Sequence, residues 1–456
     1  MFKEIRDLKP VSVSMLILTS VASWMLSLSL GMTIVGAQAS ETDAGEQFSA
    51  MGGLQIALTC LAVLMCLPSV VKVAIRRDSR RIALWQVIGA SPRSARFRYI
   101  GIATMSALVG AFVGGILAFL SWPTFGDIIA HTGFLMLPSL SEPLSGWAWS
   151  FGPGASFVVL VLALFLGTGK LRKVEPVEAV MDIPEQASSR GIVRLLASMF
   201  ILSGLLVGYI SIASTSPIDD MERLGGLLSS YWGIGLGLLL AYGISDRVVI
   251  RPVVSLIGWL LPLNFLDSWV LARTTARRRA TLSTSVITPL VVAAASVGCI
   301  FGMVNQTKNI MMASGASESD LQVSPTSQIV LIFGAPVIVA AFAGVIAVYL
   351  TNEWRRHDVA LLQTLGATTS SIRWSAVFEC LIYFLSAVVI STMILGTNAL
   401  AMGAALGNGP VPGAGPAWVG NETYFLLIGG FSLLAISIVL PTLQETKTLN
   451  MTAIAR

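Results

Sequence analysis

The residues of this chain that could perform covalent chemistry are few, and nothing in their spacing brings them together. The 456 residues include two histidines, His131 and His357, and four cysteines, Cys60, Cys66, Cys299 and Cys380. The histidines belong to distant segments, and no Cys/His cluster has the spacing of a metal site. No serine, histidine and acid form a recognisable nucleophilic set. LFLGTGKL (164–171) has the outline of a phosphate-binding loop, but it lacks the glycine at the required distance and a Ser or Thr after Lys170. The chain therefore reads as no enzyme, with no catalytic residue, metal site or cofactor of its own. The sequence offers no loop on which this chain could itself hydrolyse a nucleotide. One acid stands out, Glu379, in a segment that is otherwise apolar. An ionisable group within a membrane segment carries a functional default. Contact with a proton or substrate is one reading, and a place at the inner interface beside Arg373 is the other.

The most informative pattern is a polar block written twice. Residues 81–98 read RIALWQVIGASPRSARFR and residues 358–375 read DVALLQTLGATTSSIRWS, aligned without a gap. Identical pairs are Ala83/Ala360, Leu84/Leu361, Gln86/Gln363, Gly89/Gly366, Ala90/Ala367 and Arg96/Arg373. Ile82, Trp85 and Ile88 recur at i, i+3 and i+6, as do Val359, Leu362 and Leu365, which predicts one apolar stripe on a helix. Gly89 and Gly366 should stop these helices, because glycine takes the left-handed cap conformation readily. Ser91, followed by Pro92, reads as the N-cap of a second helix, and Thr368 is its equivalent. Each block is thus expected to be a helix, a sharp Gly-Ala-Ser/Thr turn and a returning helix. A rigid turn of that kind is a lever on which another protein could push.

The elements that hold these turns are membrane spans. Apolar residues make up 55% of the chain and charged residues 12%, with a mean hydropathy of +0.79, whereas soluble domains carry about 25% charged residues. Ten apolar runs are long enough to be spans, at 13–36, 53–75, 99–121, 150–168, 193–213, 226–246, 284–305, 327–351, 376–398 and 424–443. Residues 252–263, flanked by Pro252 and Pro262, are too short to cross and read as an interfacial or re-entrant helix. With both termini cytoplasmic, all 29 basic residues except Arg223 and Lys308 fall on the inner side, as the positive-inside rule requires. The sequence pI near 9.1 is therefore a topological signature and no nucleic-acid footprint. Outer segments are acidic, with Glu41, Asp43, Glu46, Asp127, Glu142, Asp219, Asp220, Glu222, Glu318, Asp320 and Glu422. That charge either fixes topology and solubility or attracts a cationic molecule outside. No cysteine lies in an outer loop, so no disulfide framework is expected. Ala37-Gln38-Ala39 resembles a cleavage site, but the apolar run before it is too long for a signal peptide, so an uncleaved first helix is expected.

The fold class expected is an all-α integral membrane protein, with about ten transmembrane helices in two pseudo-symmetric four-helix repeats. Repeat 1 covers 1–183, a linker with two spans and an interfacial helix covers 184–264, and repeat 2 covers 265–456. The longer outer loops, 122–148 and 399–423, are rich in Pro, Gly and Trp, and GNGPVPGAGPAW cannot form a regular helix. Trp122, Trp147, Trp149 and Trp418 fall where an interfacial aromatic belt would lie. The GxxxG pairs Gly110–Gly114 and Gly233–Gly237 permit close helix contact, either as ordinary packing or as a seam between repeats.

Two copies of a helix–Gly-Ala-Ser/Thr–helix block between spans resemble the permeases of the FtsX-like family, membrane subunits of ABC transporters of the MacB, LolC/E and bacitracin-exporter kind. RKVEPVEAV (172–180) is similar to the family's Pro-x-x-Ala segment after the fourth span, at Pro176 and Ala179. LARTTARRRATLSTSV (271–286) resembles the basic lead-in to a repeat, and Glu379 an acid at the start of the span after the block, where the first copy has Ile102. Members often carry an acid where Arg81 stands; the second copy keeps Asp358. The outer segments 38–52 and 306–326 are too short for the large external domains of MacB-like and bacitracin-exporter-like members, and the ten-span layout is most similar to the latter branch.

The resemblance implies a multi-pass permease of a bacterial cytoplasmic membrane, served by two copies of an ABC ATPase subunit that carry ATP and Mg. The ATPases would dock on Ile82, Trp85, Ile88, Gly89, Ala90, Ser91, Pro92 and Arg96, and on Val359, Leu362, Leu365, Gly366, Ala367, Thr368 and Arg373. The implied activity is ATP-driven efflux of a hydrophobic or cationic amphipathic molecule, an antimicrobial peptide or a lipid, from the outer leaflet of the bilayer. A sensor or mechanotransmitting subunit without transport is one alternative. An ion-coupled secondary transporter is another, although that class favours inverted repeats and midplane polar groups.

Overall fold

A computed structural model describes residues 9–39, 43–87, 91–130, 146–168, 190–214, 221–260, 266–278, 280–313 and 326–408, together with 415–418, 420, 423–432, 435–436 and 438–439. These residues form helices α1 (Lys9–Gln38), α2 (Asp43–Val87), α3 (Pro92–Ala130), α4 (Gly146–Thr168), α5 (Arg190–Ala213), α6 (Met221–Leu260), α7 (Asp267–Arg278), α8 (Ala280–Ala313), α9 (Thr326–Thr364) and α10 (Thr369–Asn408). A shorter apolar helix, α11, covers Thr423–Ser432. Among the described residues there is no β-strand.

Seven of these helices are long and apolar enough to cross a membrane, or eight if the bent helix α6 counts as one span. The expected spans at 150–168 and 424–443 coincide with shorter apolar helices, Ser150–Leu162 and α11. The bend in α6 is 80° between Gly233–Asp246 and Val248–Leu260. Pro252 contributes to it, since it supplies no N–H to the carbonyl of Val248. The expected interfacial helix at 252–263 is therefore the second arm of a bent helix, and it begins earlier.

The helices at the repeated block are much longer than a bilayer requires. The α2 window of spanning character ends at Ile75 and the helix continues to Val87; in α9 the window ends at Thr351 and the helix continues to Thr364. At 1.5 Å per residue these extensions add roughly 18–20 Å beyond the apolar window. The returning helices α3 and α10 reach 39 and 40 residues. Both outlast the sequence-based ends at 121 and 398. Trp122 is consequently buried, at 1% exposure, inside α3 and in no aromatic belt, whereas Trp418 is exposed.

The chain divides into two compact units, one of Met1–Glu185 with Ser324–Thr351 and one of Gln186–Val323 with Asn352–Arg456. The first is organised around α1, against which α2, α3 and α4 all pack. Apolar side chains alone give helices no preference for one another over lipid, so close backbone approach by small residues decides the association. Gly110 and Gly114 of α3 meet the α1 backbone at Leu16 and Ser20, and Gly152 of α4 meets Ser27. The Gly110–Gly114 pair thus serves packing within one unit. Hydrogen bonds fix the register: Ser23 Oγ donates to Ala111 O at 2.8 Å, and Trp24 Nε1 donates to Ser121 Oγ at 2.8 Å.

In the second unit, α6 packs on α5, α8 and α10. Buried Asn398 of α10 ties them together, accepting from Tyr209 Oη of α5 at 2.8 Å and donating to Tyr231 O of α6 at 3.4 Å. Gly235 faces Cys299 and Gly237 faces Leu205, while Gly233 has no neighbour near its Cα. Of the GxxxG pair only Gly237 therefore makes a close contact, and Gly235, between the two, makes another. At the end of α8 remote from α7, Gln306 Nε2 and Asn309 Nδ2 both donate to Gly415 O, at 3.2 and 3.3 Å, and Ala417 N donates to Gln306 Oε1 at 3.1 Å. These bonds hold the Pro/Gly segment, non-helical at 415–418 as its composition requires.

Candidate functional site

The second copy of the block is described apart from the side chain of Asp358, and its turn is built by the backbone. Gly366 has φ +88°. Its N–H donates to Gln363 O at 3.0 Å, and Ala367 N–H donates to Leu362 O at 2.9 Å. This pair of bonds is the Schellman motif, which satisfies carbonyls that a helix end leaves bare. A Cβ on Gly366 would meet no other atom, so the backbone angle alone explains the glycine. Two residues on, Thr368 caps α10: its Oγ1 accepts from Ser371 N at 3.2 Å, and its carbonyl accepts from Ile372 N at 3.1 Å. Because a Schellman end runs directly into a capped start, the reversal takes four residues and has little freedom.

In the first copy, Ser91 Oγ accepts from Ser94 N at 3.2 Å. That is the same bond at the same length as Thr368 makes, and Pro92 occupies the first position of α3, where its missing N–H costs nothing. Ile88, Gly89 and Ala90 lie outside the described residues, as do the side chains of Ile82, Trp85, Pro92 and Arg96.

The apolar stripe expected at Val359, Leu362 and Leu365 does not keep one environment. Val359 is buried, Leu362 half-buried, and Leu365 is 83% exposed at the tip of the turn. Leu361, one residue off the stripe, is also exposed, as are Gly366 and Thr368; Ala367 and Arg373 are half-buried. The stripe therefore runs from the core out to a protruding apolar tip, to which Leu361 adds.

Behind the turn stands α7, which packs on α10. Trp269, fully buried, meets Phe378 edge-on with ring centroids 5.6 Å apart, and Trp374 lies 6.0 Å from the same ring. Ser268 and Ser371 place their hydroxyls 3.4 Å apart. Glu379, next to Phe378 in α10, is 5% exposed and accepts from Tyr383 Oη at 2.6 Å. Ser283 Oγ lies 3.3 Å from that tyrosine oxygen and 3.0 Å from Ala276 O, and can donate to either. A buried polar chain thus links α10 to the junction of α7 with α8. The Glu379–Tyr383 spacing of four residues is a signal the sequence carries; Ser283 and Trp269, each about a hundred positions away in the chain, are joined to it only by the fold.

The arrangement is built from helix caps, ring contacts and buried hydroxyls. Among the described residues, no group of His, Cys, Asp and Glu could hold a metal ion. It offers instead a stiff, capped reversal at the end of a long helix, with an apolar tip and a braced rear face. Comparison with protein families finds that residues 53–176 match the model described as FtsX-like permease C-terminal. The matched stretch runs from α2 through α3 and α4 and includes the first copy of the block. Comparison with curated proteins gave no match.

Proposed function

We propose, from the premise that an FtsX-like permease domain makes this chain the membrane subunit of an ABC transporter, that its two capped turns are docking levers for two ATPase subunits. The observation that carries this reading is the turn at Leu365–Thr368, where a Schellman end, a threonine cap and an 83% exposed leucine sit at the end of a helix extended beyond its span. A turn that bends would absorb a push; one held by capping bonds at both helix ends transmits it. ATP-driven movement of the ATPases would displace α2 and α9 through their extensions and, through α3 and α10, the spans that return. The cargo best suited to this chain is a hydrophobic or amphipathic molecule exported from the outer leaflet. The acidic outer segments favour a cationic peptide over a neutral lipid. In this reading both termini lie in the cytoplasm.

The test is co-purification with an ATPase encoded nearby, followed by ATP hydrolysis in lipid vesicles. Leu365→Asp, a change at an exposed site, is expected to leave the purified protein monodisperse and to reduce permease-dependent hydrolysis at least tenfold. Recruitment and hydrolysis at wild-type level in this variant, or no ATPase recruited by the wild type, would overturn the reading.

A further inference from the structure

The second unit presents Arg251, Arg273 and Arg277 among exposed apolar side chains of α6 and α7. Beyond the 80° bend of α6, the arm Val248–Leu260 buries Ile250, Val253, Val254 and Ile257 on one face. Its other face carries Val248, Arg251, Leu256 and Trp259, the last 70% exposed. If the first arm of α6 stands across the membrane, an arm turned from it by 80° runs close to the membrane plane. α7 packs beside this arm, with the stem of Arg273 lying over Gly258, where a Cβ would be 2.9 Å from Arg273 Cγ. α7 divides in the same manner: Trp269, Ala272 and Ala276 point inward, while Val270, Thr274 and Arg277 are exposed. Arg251, Arg273 and Arg277 make no hydrogen bond or ion pair with any described residue. The acid on the exposed face of α7 is Asp267, in its first turn, where the helix dipole favours it.

A face that is cationic and apolar together is complementary to a bilayer surface with anionic headgroups, where apolar side chains enter the acyl boundary and basic ones meet phosphates. We propose that the second arm of α6 and α7 together bind anionic phospholipid, with Leu256 and Trp259 at the acyl boundary and Arg251, Arg273 and Arg277 on the headgroups. Tryptophan at such a depth is the usual interfacial anchor. The inward face of α7 bears on α10 through Trp269–Phe378 and Ser268–Ser371, so bound lipid steadies the helix that braces the turn. This last link rests on the coupling role proposed above; the lipid binding does not.

The experiment uses the full chain in vesicles of mixed phosphatidylcholine and phosphatidylglycerol, with one lipid brominated at a time. The signal is tryptophan quenching lost in Trp259→Phe. Brominated phosphatidylglycerol is expected to quench Trp259 more strongly than brominated phosphatidylcholine at equal mole fraction. Each basic residue near an anionic surface strengthens partition by about fivefold, so R251Q/R273Q/R277Q should lower the preference by at least that factor. The corresponding triple lysine variant should keep it, and high salt should weaken it in the wild type. Equal quenching by both lipids, a preference that survives the glutamine variant, or one abolished by inorganic phosphate would overturn the proposal. No ATPase or nucleotide is present, so failure here and failure of the docking role are separate outcomes.

Discussion

At the scale of the residue, the turn rests on one backbone angle and one hydroxyl. Left-handed backbone costs an L-residue about 1–2 kcal/mol, and Gly366 has open space around it. Gly366→Ala should therefore loosen the helix end by about 1 kcal/mol without any clash, seen as faster amide exchange at Ala367. Gly366→Asn should lose less, since asparagine tolerates this region. Thr368→Ala removes the cap and should cost about 1 kcal/mol, while Thr368→Ser should stay near wild type, with exchange at the Ser371 amide as the readout. Protection unchanged by Thr368→Ala would rule out the cap. Further along α10, Tyr383→Phe removes the donor to Glu379 and should cost about 1–3 kcal/mol in thermal unfolding in detergent. Glycine stop and threonine cap were both legible in the sequence because they are local: each bond spans five residues or fewer. The outward swing of Leu365 was not. Periodicity places a residue on a face but cannot say where along that face the core ends.

At the scale of the element, small residues set which helices touch. Gly114 of α3 lies against the α1 backbone at Ser20, whereas Gly101 of the same helix has no neighbour near its Cα. Gly114→Val should thus destabilise the protein by roughly 1–3 kcal/mol or more through forced separation of the helices, whereas Gly101→Val should shift stability by about half a kcal/mol or less. Equal melting temperatures for the two variants would refute the assigned contact. The apolar runs gave the helices their positions, and Pro252 gave part of the bend of α6. Helix ends were the less legible part, because α3 and α10 continue past Trp122 and Asn398 through residues whose composition alone suits a loop equally well. Helical hydrogen bonding there is decided by burial of Trp122 and Asn398 against neighbours, which no local window contains.

At the scale of the whole molecule, the twice-written block appears in two units of unequal make-up. The second turn is braced by α7 and by the Glu379–Tyr383–Ser283 chain; aligned with Glu379 in the first copy is Ile102. If both turns face the cytoplasm, cysteines placed at Ser91 and Thr368 should react with an impermeant maleimide only in inside-out vesicles. The native thiols should add little background labelling, since Cys66, Cys299 and Cys380 are buried and Cys60 is half-buried. Labelling of either site in right-side-out vesicles would reverse the topology. The far end of α8 has a further consequence. Gln306 and Asn309 grip Gly415 and Ala417 with carboxamides, groups that neither gain nor lose a proton and whose bonds ions barely screen. The Pro/Gly strap should hold equally in acid and in brine. Exchange protection of the Ala417 amide, corrected for its intrinsic rate, should stay level from about pH 5 to 8, the range over which a histidine-built clasp would let go.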